Sequence, residues 1–258
     1  MTNNNPIGLF DSGIGGTSIW NAIHQLLPNE STIYLADSKN APYGHKSKAE
    51  IIELSCKNVE ILLEQNCKLI VVACNTATTN AIKELREKYE IPFIGIEPAI
   101  KPAALNSKTQ TIGILATQGT LNSALFNKTL DKYQDIKIIE QVGHGLVQLI
   151  EDGKINSVEM TELLHLYLQP MIETNIDYLV LGCSHYPYLI PQIKNILPQS
   201  IQIIDSGEAV ARQTKNVLEQ NIGYNVLNKP FNTFITNSNS KVLKEVLNQR
   251  YEVLEKDF

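Results

Sequence analysis

No apolar run in the 258 residues approaches the ~20 needed to span a bilayer. The opening Met1-Thr-Asn-Asn-Asn-Pro6 has neither the basic region nor the apolar stretch of a secretory signal. The cytoplasm is the expected location. No Lys/Arg cluster stands out, and 22 basic residues face 27 acidic ones, for a net charge of −5. Binding to phosphate backbones ordinarily leaves a basic patch, so nucleic acid is set aside as the main ligand. Only four cysteines occur, Cys56, Cys67, Cys74 and Cys183. None forms a Cys-x-x-Cys pair, their spacing is not that of a zinc site, and the scattered histidines add no metal constellation. Disulfides are not expected in a reducing compartment. That leaves buried or reactive thiols. Low-complexity segments and disordered linkers are absent too. What remains, 43% hydrophobic and 19% charged residues, is ordinary for a soluble protein of one or two domains with a proper core.

Val- and Ile-rich runs alternate with longer amphipathic stretches. Strands are predicted near 6–10, 31–36, 68–73, 92–96, 111–116, 136–140, 177–182, 201–204 and 231–236. Helices fit near 15–27, 46–65, 77–89, 121–131, 144–151, 157–173, 187–196, 207–221 and 238–250. Strand–helix alternation predicts an α/β protein with mostly parallel sheets, and continuous apolar strands suit sheets covered on both faces.

The sequence also echoes itself. Ile7-Gly-Leu-Phe-Asp11-Ser12 resembles Ile112-Gly-Ile-Leu-Ala116-Thr117, 105 positions on (112 − 7). Leu69-Ile-Val-Val-Ala-Cys74 resembles Leu179-Val-Leu-Gly-Cys183, and the two cysteines lie 109 apart (183 − 74). Phe93-Ile-Gly-Ile-Glu97 resembles Gln202-Ile-Ile-Asp205, with the two acids 108 apart (205 − 97). Three matches in one order, at nearly one offset, predict two related halves. The segment Glu97-Pro-Ala-Ile-Lys-Pro102 is the expected crossover. The residues beyond Gly207 are expected to return to the first half. The domains would then be 1–97 plus 208–258, and 98–207. Ligands of open α/β sheets bind beyond the carboxyl ends of the strands, where Asp11, Cys74, Glu97, Thr117, Cys183 and Asp205 all fall.

Cys74 precedes the polar run Asn75-Thr76-Ala-Thr78, which caps the next helix. A thiol near a helix amino terminus favours the thiolate. Cys183-Ser184-His185-Tyr-Pro187 is a stronger signal: a nearby imidazolium would lower a thiol's pKa, or the histidine could itself move protons. Against each stands a small buried hydrophobe or a local cap, but matched positions in two halves favour chemistry. Asp11-Ser-Gly-Ile-Gly-Gly-Thr17 lacks the Gly-Lys-Ser/Thr of a Walker loop and the last glycine of the dinucleotide fingerprint. A phosphate turn and a purely structural turn remain rivals. The favoured reading is a turn whose backbone N–H groups meet a carboxylate while Asp11 faces the reacting centre. Cys56 and Cys67 read as core. Glu151 reads on its own as a solvated helix-end carboxylate.

Together these motifs resemble the glutamate racemases of the cofactor-independent aspartate/glutamate racemase superfamily. The matching pieces are Phe10-Asp-Ser-Gly-Ile-Gly-Gly16, Ala36-Asp37 with Pro42-Tyr-Gly44, Ala73-Cys-Asn-Thr-Ala-Thr78, Gly95-Ile-Glu-Pro98, Gly113-Ile-Leu-Ala-Thr117 with Gly119-Thr120, and Leu181-Gly-Cys-Ser-His-Tyr-Pro187. The resemblance implies two pseudosymmetric three-layer α/β domains with the active site in the cleft between them. It implies direct interconversion of L- and D-glutamate, supplying D-glutamate for peptidoglycan, with no cofactor and no metal. Cys183 would take the α-proton from L-glutamate and Cys74 from D-glutamate, with Asp11, His185 and Glu151 assisting. Substrate contacts would come from Asp11, Ser12, Pro42, Tyr43, Gly44, Cys74, Asn75, Thr76, Thr117, Thr120, Cys183, Ser184 and His185. A homodimer is expected. Ser184 departs from the threonine usual in the family, which keeps the hydroxyl and loses a methyl.

The chemistry agrees. A racemase removes a proton from one face of a carbon and returns one to the other, and two opposed thiols meet that need. The carbanion needs a site that excludes water, so domain closure over the substrate is expected. The rivals are an aspartate racemase, disfavoured by Thr78 alone, a cysteine-nucleophile hydrolase using Cys183 and His185, a glutamate-binding protein without turnover, and a pyridoxal enzyme.

Overall fold

The computed structural model describes residues 2–226 and 229–258. Among the described residues ten strands form two sheets. They are β1 (Ile7–Asp11), β2 (Thr32–Ala36), β3 (Leu69–Val72), β4 (Phe93–Gly95), β5 (Thr111–Ala116), β6 (Lys137–Val142), β7 (Tyr178–Gly182), β8 (Gln202–Ile204), β9 (Asn232–Thr236) and β10 (Val253–Glu255). One sheet has the order β10-β9-β2-β1-β3-β4, the other β6-β5-β7-β8. Every pairing within them is parallel. β1, β2 and β3 are buried along their whole length. Helices cover both faces, which explains why these strands carry no alternating polar residues.

The internal echo is a topological one. The order β2-β1-β3-β4 in the first sheet repeats as β6-β5-β7-β8 in the second. Thus β1 answers β5, β3 answers β7 and β4 answers β8, the pairs whose sequences match. A second signature lies before β3 and β7. Asn66 and Asn175 each end a long helix in the left-handed conformation, with φ of 56° and 59°. They too are 109 positions apart (175 − 66). Asparagine tolerates this conformation, and it turns the chain sharply into each central strand.

Several elements escaped the sequence reading, among them a helix at the crossover and the last strand. The expected crossover at 97–102 runs into the helix Ile100–Asn106, although Pro102 lies in its first turn, where a proline is tolerated. β10, three residues long, pairs with β9. β9 in turn pairs with β2 across five positions, so the returning chain extends the first sheet.

A buried ion pair ties this return down. Lys68 Nζ lies 2.7 Å from Glu30 Oε2, with the two side chains 1% and 2% exposed. Lys68 also donates to the carbonyl oxygens of Asn3 at 2.7 Å and Gly223 at 3.4 Å. Asn225 N donates to Glu30 Oε1 at 2.8 Å. The pair therefore links the entry to β2, the entry to β3 and the segment leading into β9.

Candidate active site

In each sheet the chain reverses its direction of travel between two neighbouring strands, β1 and β3 or β5 and β7. The crevice at such a switch point is where open α/β sheets place ligands. Asp11 ends β1 and Cys74 follows β3; Thr117 follows β5 and Cys183 follows β7. The carboxyl ends of these strands face a single small cavity.

Both cysteines line it, together with Ser12, Pro42, Tyr43, Gly44, Asn75 and Thr76 from the first half and Thr117, Ser184 and His185 from the second. Val147 also lines it. Its apolar helix Leu146–Glu151 gave no sequence signal beyond ordinary core. The cavity has only about 10 Å³ of free space, on the order of one water molecule. As it stands the cavity is too small for a molecule the size of glutamate.

Three of the sequence candidates stand behind this lining. Asp11 is fully buried and accepts from Ser184 Oγ at 2.9 Å and from Gly13 N at 2.9 Å. Thr120 is buried and shares hydroxyl contacts with Thr76 at 3.3 Å and Thr117 at 3.0 Å. Thr76 and Thr117 themselves meet across the cleft at 2.8 Å. Glu151 sits behind His185. Glu97 and Asp205 lie elsewhere: Glu97 is exposed, its carbonyl accepts a hydrogen bond from Ser206 Oγ, and Asp205 accepts from Gly207 N at 2.7 Å. They mark where the chain passes between sheets. Thr78 is buried and bridges β3 and β4, donating to Val72 O at 3.1 Å and accepting from Ile96 N at 3.0 Å. It does not face the cavity, so it gives no handle on substrate choice.

The thiols have different surroundings. Cys74 caps the helix Asn75–Lys88, its sulfur accepting from Ala77 N at 3.4 Å and donating to Ser12 Oγ at 3.7 Å. The expected helix-terminus effect is present but outweighed. Burial and the neighbouring Asp11 carboxylate push the Cys74 thiol well above its ordinary value, so it rests as a thiol. Burial likewise raises Asp11, against the pull of His185 and Ser184. Cys183 Sγ lies 3.9 Å from His185 Nδ1. Burial alone would push that imidazole down. Cys183, Glu151 and Asp11 around it outweigh burial and hold it well above the ordinary histidine value, so it is a cation at neutral pH. The ring's other nitrogen, Nε2, lies 2.6 Å from Glu151 Oε1 and donates to it.

The glycine turn meets a carboxylate as expected, but one belonging to the protein. Ile14 N donates to Glu151 Oε1 at 2.7 Å. Gly13 N is spent on Asp11, and Gly15 N faces His185 Nε2 at 3.3 Å. Ile14 N and Gly13 N are thus taken by the protein's own carboxylates, so the turn does not present a row of free amides to a phosphate. A Cβ on Gly13 would overlap the Glu151 carboxylate and one on Gly15 the His185 ring, so the close approach of the halves requires glycine at both places. Ser18 Oγ donates to Ser184 O at 2.9 Å, and Thr17 shares a hydroxyl contact with Tyr188. Asn75 is buried at the cavity with neither amide oxygen nor amide nitrogen bonded. An amide left so at a cleft is suited to a polar ligand. Among the described residues no group of three or more His, Cys, Asp or Glu side chains could hold a metal ion. Nor is any helix there long and apolar enough to cross a membrane.

The family model for Asp/Glu/hydantoin racemases matches residues 7–214. The chain belongs to that family. A glutamate racemase of Ralstonia pickettii is 49% identical over 214 residues, covering 83% of this chain and 76% of the relative. Among solved structures, a glutamate racemase isoform from Bacillus anthracis superposes with a TM-score of 0.87 at 30% identity, covering 98% of this chain and 97% of that one. The Escherichia coli glutamate racemase, solved with L-glutamate and the activator UDP-MurNAc-ala, gives 0.86 at 33% identity, covering 98% of both chains. The racemase family's two-domain α/β fold, expected from the sequence, is the fold seen here.

Proposed function

We propose that this protein is a glutamate racemase that moves the α-proton between two cysteines without a cofactor. The observation that carries the reading is the arrangement of the thiols: one from each of two matching sheets, both lining one small cavity. The names of its close relatives support glutamate as the substrate.

In the direction from L- to D-glutamate, Cys183 acts as the base. The His185 cation lies 3.9 Å from its sulfur. Cys74, kept as a thiol by burial and Asp11, donates a proton to the opposite face. In the other direction the roles exchange, and Asp11 beside Cys74 replaces His185 beside Cys183 as the assisting group. Asn75, Thr76, Thr117 and Ser184 offer hydrogen bonds to the substrate's charged ends. The tight cavity excludes water from the carbanion. The same reading has the chain divided as 1–97 plus 208–258 and 98–207, acting in the cytoplasm as a homodimer and supplying D-glutamate for peptidoglycan.

The wild-type protein in D₂O, with no added cofactor, is expected to exchange the α-proton of both L- and D-glutamate and to interconvert them, as followed by NMR and chiral chromatography. Failure to exchange either enantiomer would sink the assignment. Faster exchange of aspartate would move it to that substrate, and a covalent acyl adduct on Cys183 in mass spectra would favour the hydrolase.

Gly15→Ala tests the closeness of the halves. Its methyl would displace the His185 ring, and misplacing an assisting group by an ångström costs about 100-fold in rate. A loss of that order in kcat/KM is expected, with the far-ultraviolet circular dichroism unchanged. Undiminished turnover would show that the ring tolerates the shift.

A further inference from the structure

Glu151 belongs to the second half by its strand order, yet the first half grips it. Oε1 receives Ile14 N at 2.7 Å and His185 Nε2 at 2.6 Å. Oε2 receives a single hydrogen bond, from Ser38 Oγ at 3.0 Å. Ser38 opens the short 3₁₀ turn Ser38–Asn40 just beyond β2. That turn is itself fixed. Asp37, one residue before it, is buried and accepts hydrogen bonds from Tyr43 Oη, Asn40 Nδ2 and Asn237 Nδ2. A rigid turn therefore presents one hydroxyl to the free oxygen of the carboxylate that holds His185.

A carboxylate fixed through one oxygen still turns about its own axis; a second hydrogen bond on the other oxygen stops it. With Glu151 fixed, His185 keeps Nε2 on the carboxylate and Nδ1 toward the Cys183 sulfur. The Cys74 thiol has separate partners in Ser12, the Ala77 N–H and Asp11. Ser38 touches none of these. We infer that Ser38 is a positioning residue for the Cys183 half of the reaction: its hydroxyl locks Glu151 against His185. That hydroxyl reaches the Cys74 half only indirectly, through the charge of Asp11. The inference rests on the two-thiol racemase reading above.

The test uses the intact protein carrying Ser38→Ala, with Ser38→Thr as the variant that keeps the hydroxyl. Two enantiomers have an equilibrium constant of one, so kcat/KM must fall equally in both directions. A hydrogen bond to a charged group sets the expected fall at about 10- to 100-fold. The identity of the impaired half-reaction shows instead in primary isotope effects. With α-deuterated L-glutamate, the effect on kcat/KM should rise in Ser38→Ala, because proton removal by Cys183 becomes more nearly rate-limiting. With α-deuterated D-glutamate it should fall, because proton removal by Cys74 becomes less so. Ser38→Thr should restore both. A general loosening of the fold would slow both half-reactions and would not split the two effects in opposite directions. Isotope effects that stay together in Ser38→Ala, or a Ser38→Thr enzyme as slow as Ser38→Ala, would overturn the role of Ser38 alone. Absence of α-proton exchange by the wild type would overturn the racemase reading and this role with it.

Discussion

Cys74→Ala and Cys183→Ala are each expected to lower glutamate racemisation by roughly 10²- to 10⁴-fold, the range that a positioned general acid or base contributes. The more telling result concerns what each variant still does. Cys183 faces L-glutamate in the proposed reaction, and its imidazolium partner does not depend on Cys74. Cys74→Ala should therefore still exchange the α-proton of L-glutamate in D₂O, with retention, while leaving D-glutamate untouched. Cys183→Ala should show the reverse pattern, with Cys74 and Asp11 exchanging D-glutamate only. Each variant should bind glutamate within a few-fold of wild type, since the polar groups around the cavity remain. One assay separates three mechanisms. Exchange confined to one enantiomer per variant supports two bases. Exchange of both enantiomers by a single-thiol variant would mean one mobile base. Full racemisation by Cys74→Ala would return that residue to the core and leave Cys183 as the one base.

The largest effect on stability is expected far from the cavity, at Lys68. Its ammonium and the Glu30 carboxylate are almost wholly shut off from water. Breaking such a pair leaves a lone buried charge and costs about 3–5 kcal/mol. For a chain of this size Lys68→Met should lower the melting midpoint by on the order of 10 °C. The damage should concentrate in the returning segment, since Lys68 and Glu30 hold Gly223 and Asn225. Adding Glu30→Gln removes the stranded charge and keeps an oxygen for Asn225 N, so the double variant should recover more than half of the loss. Urea melts of the wild type, both single variants and the double variant decide the matter. A double variant no more stable than Lys68→Met would show that the cost was lost packing by the lysine stem, not an unpaired carboxylate.

The sequence disclosed the chemistry-bearing positions better than the contacts that tune them. Asp11, Cys74, Thr117 and Cys183 are readable because each stands at or just beyond the carboxyl end of a strand, where an apolar run stops, and because the same break recurs in the other half. Glu151 and Ser38 carry no such mark. They are 113 positions apart, one at a helix end and one in a polar turn, places where solvated residues are common. Only the closure of the halves brings them together, and no local pattern encodes it. Thr78 is the opposite case: it stands among site residues in the sequence but faces away from the cavity, tying β3 to β4. Cys74 shows a third limit. A helix amino terminus is visible in sequence, whereas the burial that overrides it depends on the whole cleft being shut. β10 escaped because three residues are too few for periodicity to register.

The chain crosses between the two sheets at two points, after β4 and after β8, each the edge strand of its sheet. The crossings lie side by side, joined where Ser206 donates to the Glu97 carbonyl. Two adjacent tethers along one edge act as a door hinge. Since the cavity as it stands has space for little more than a water, opening about this hinge to admit substrate and again to release product would be part of each turnover. The entrance for one enantiomer is then the exit for its mirror image, along one path travelled in opposite senses. A change that stiffens the hinge should consequently slow both directions alike, however differently the two thiols are tuned.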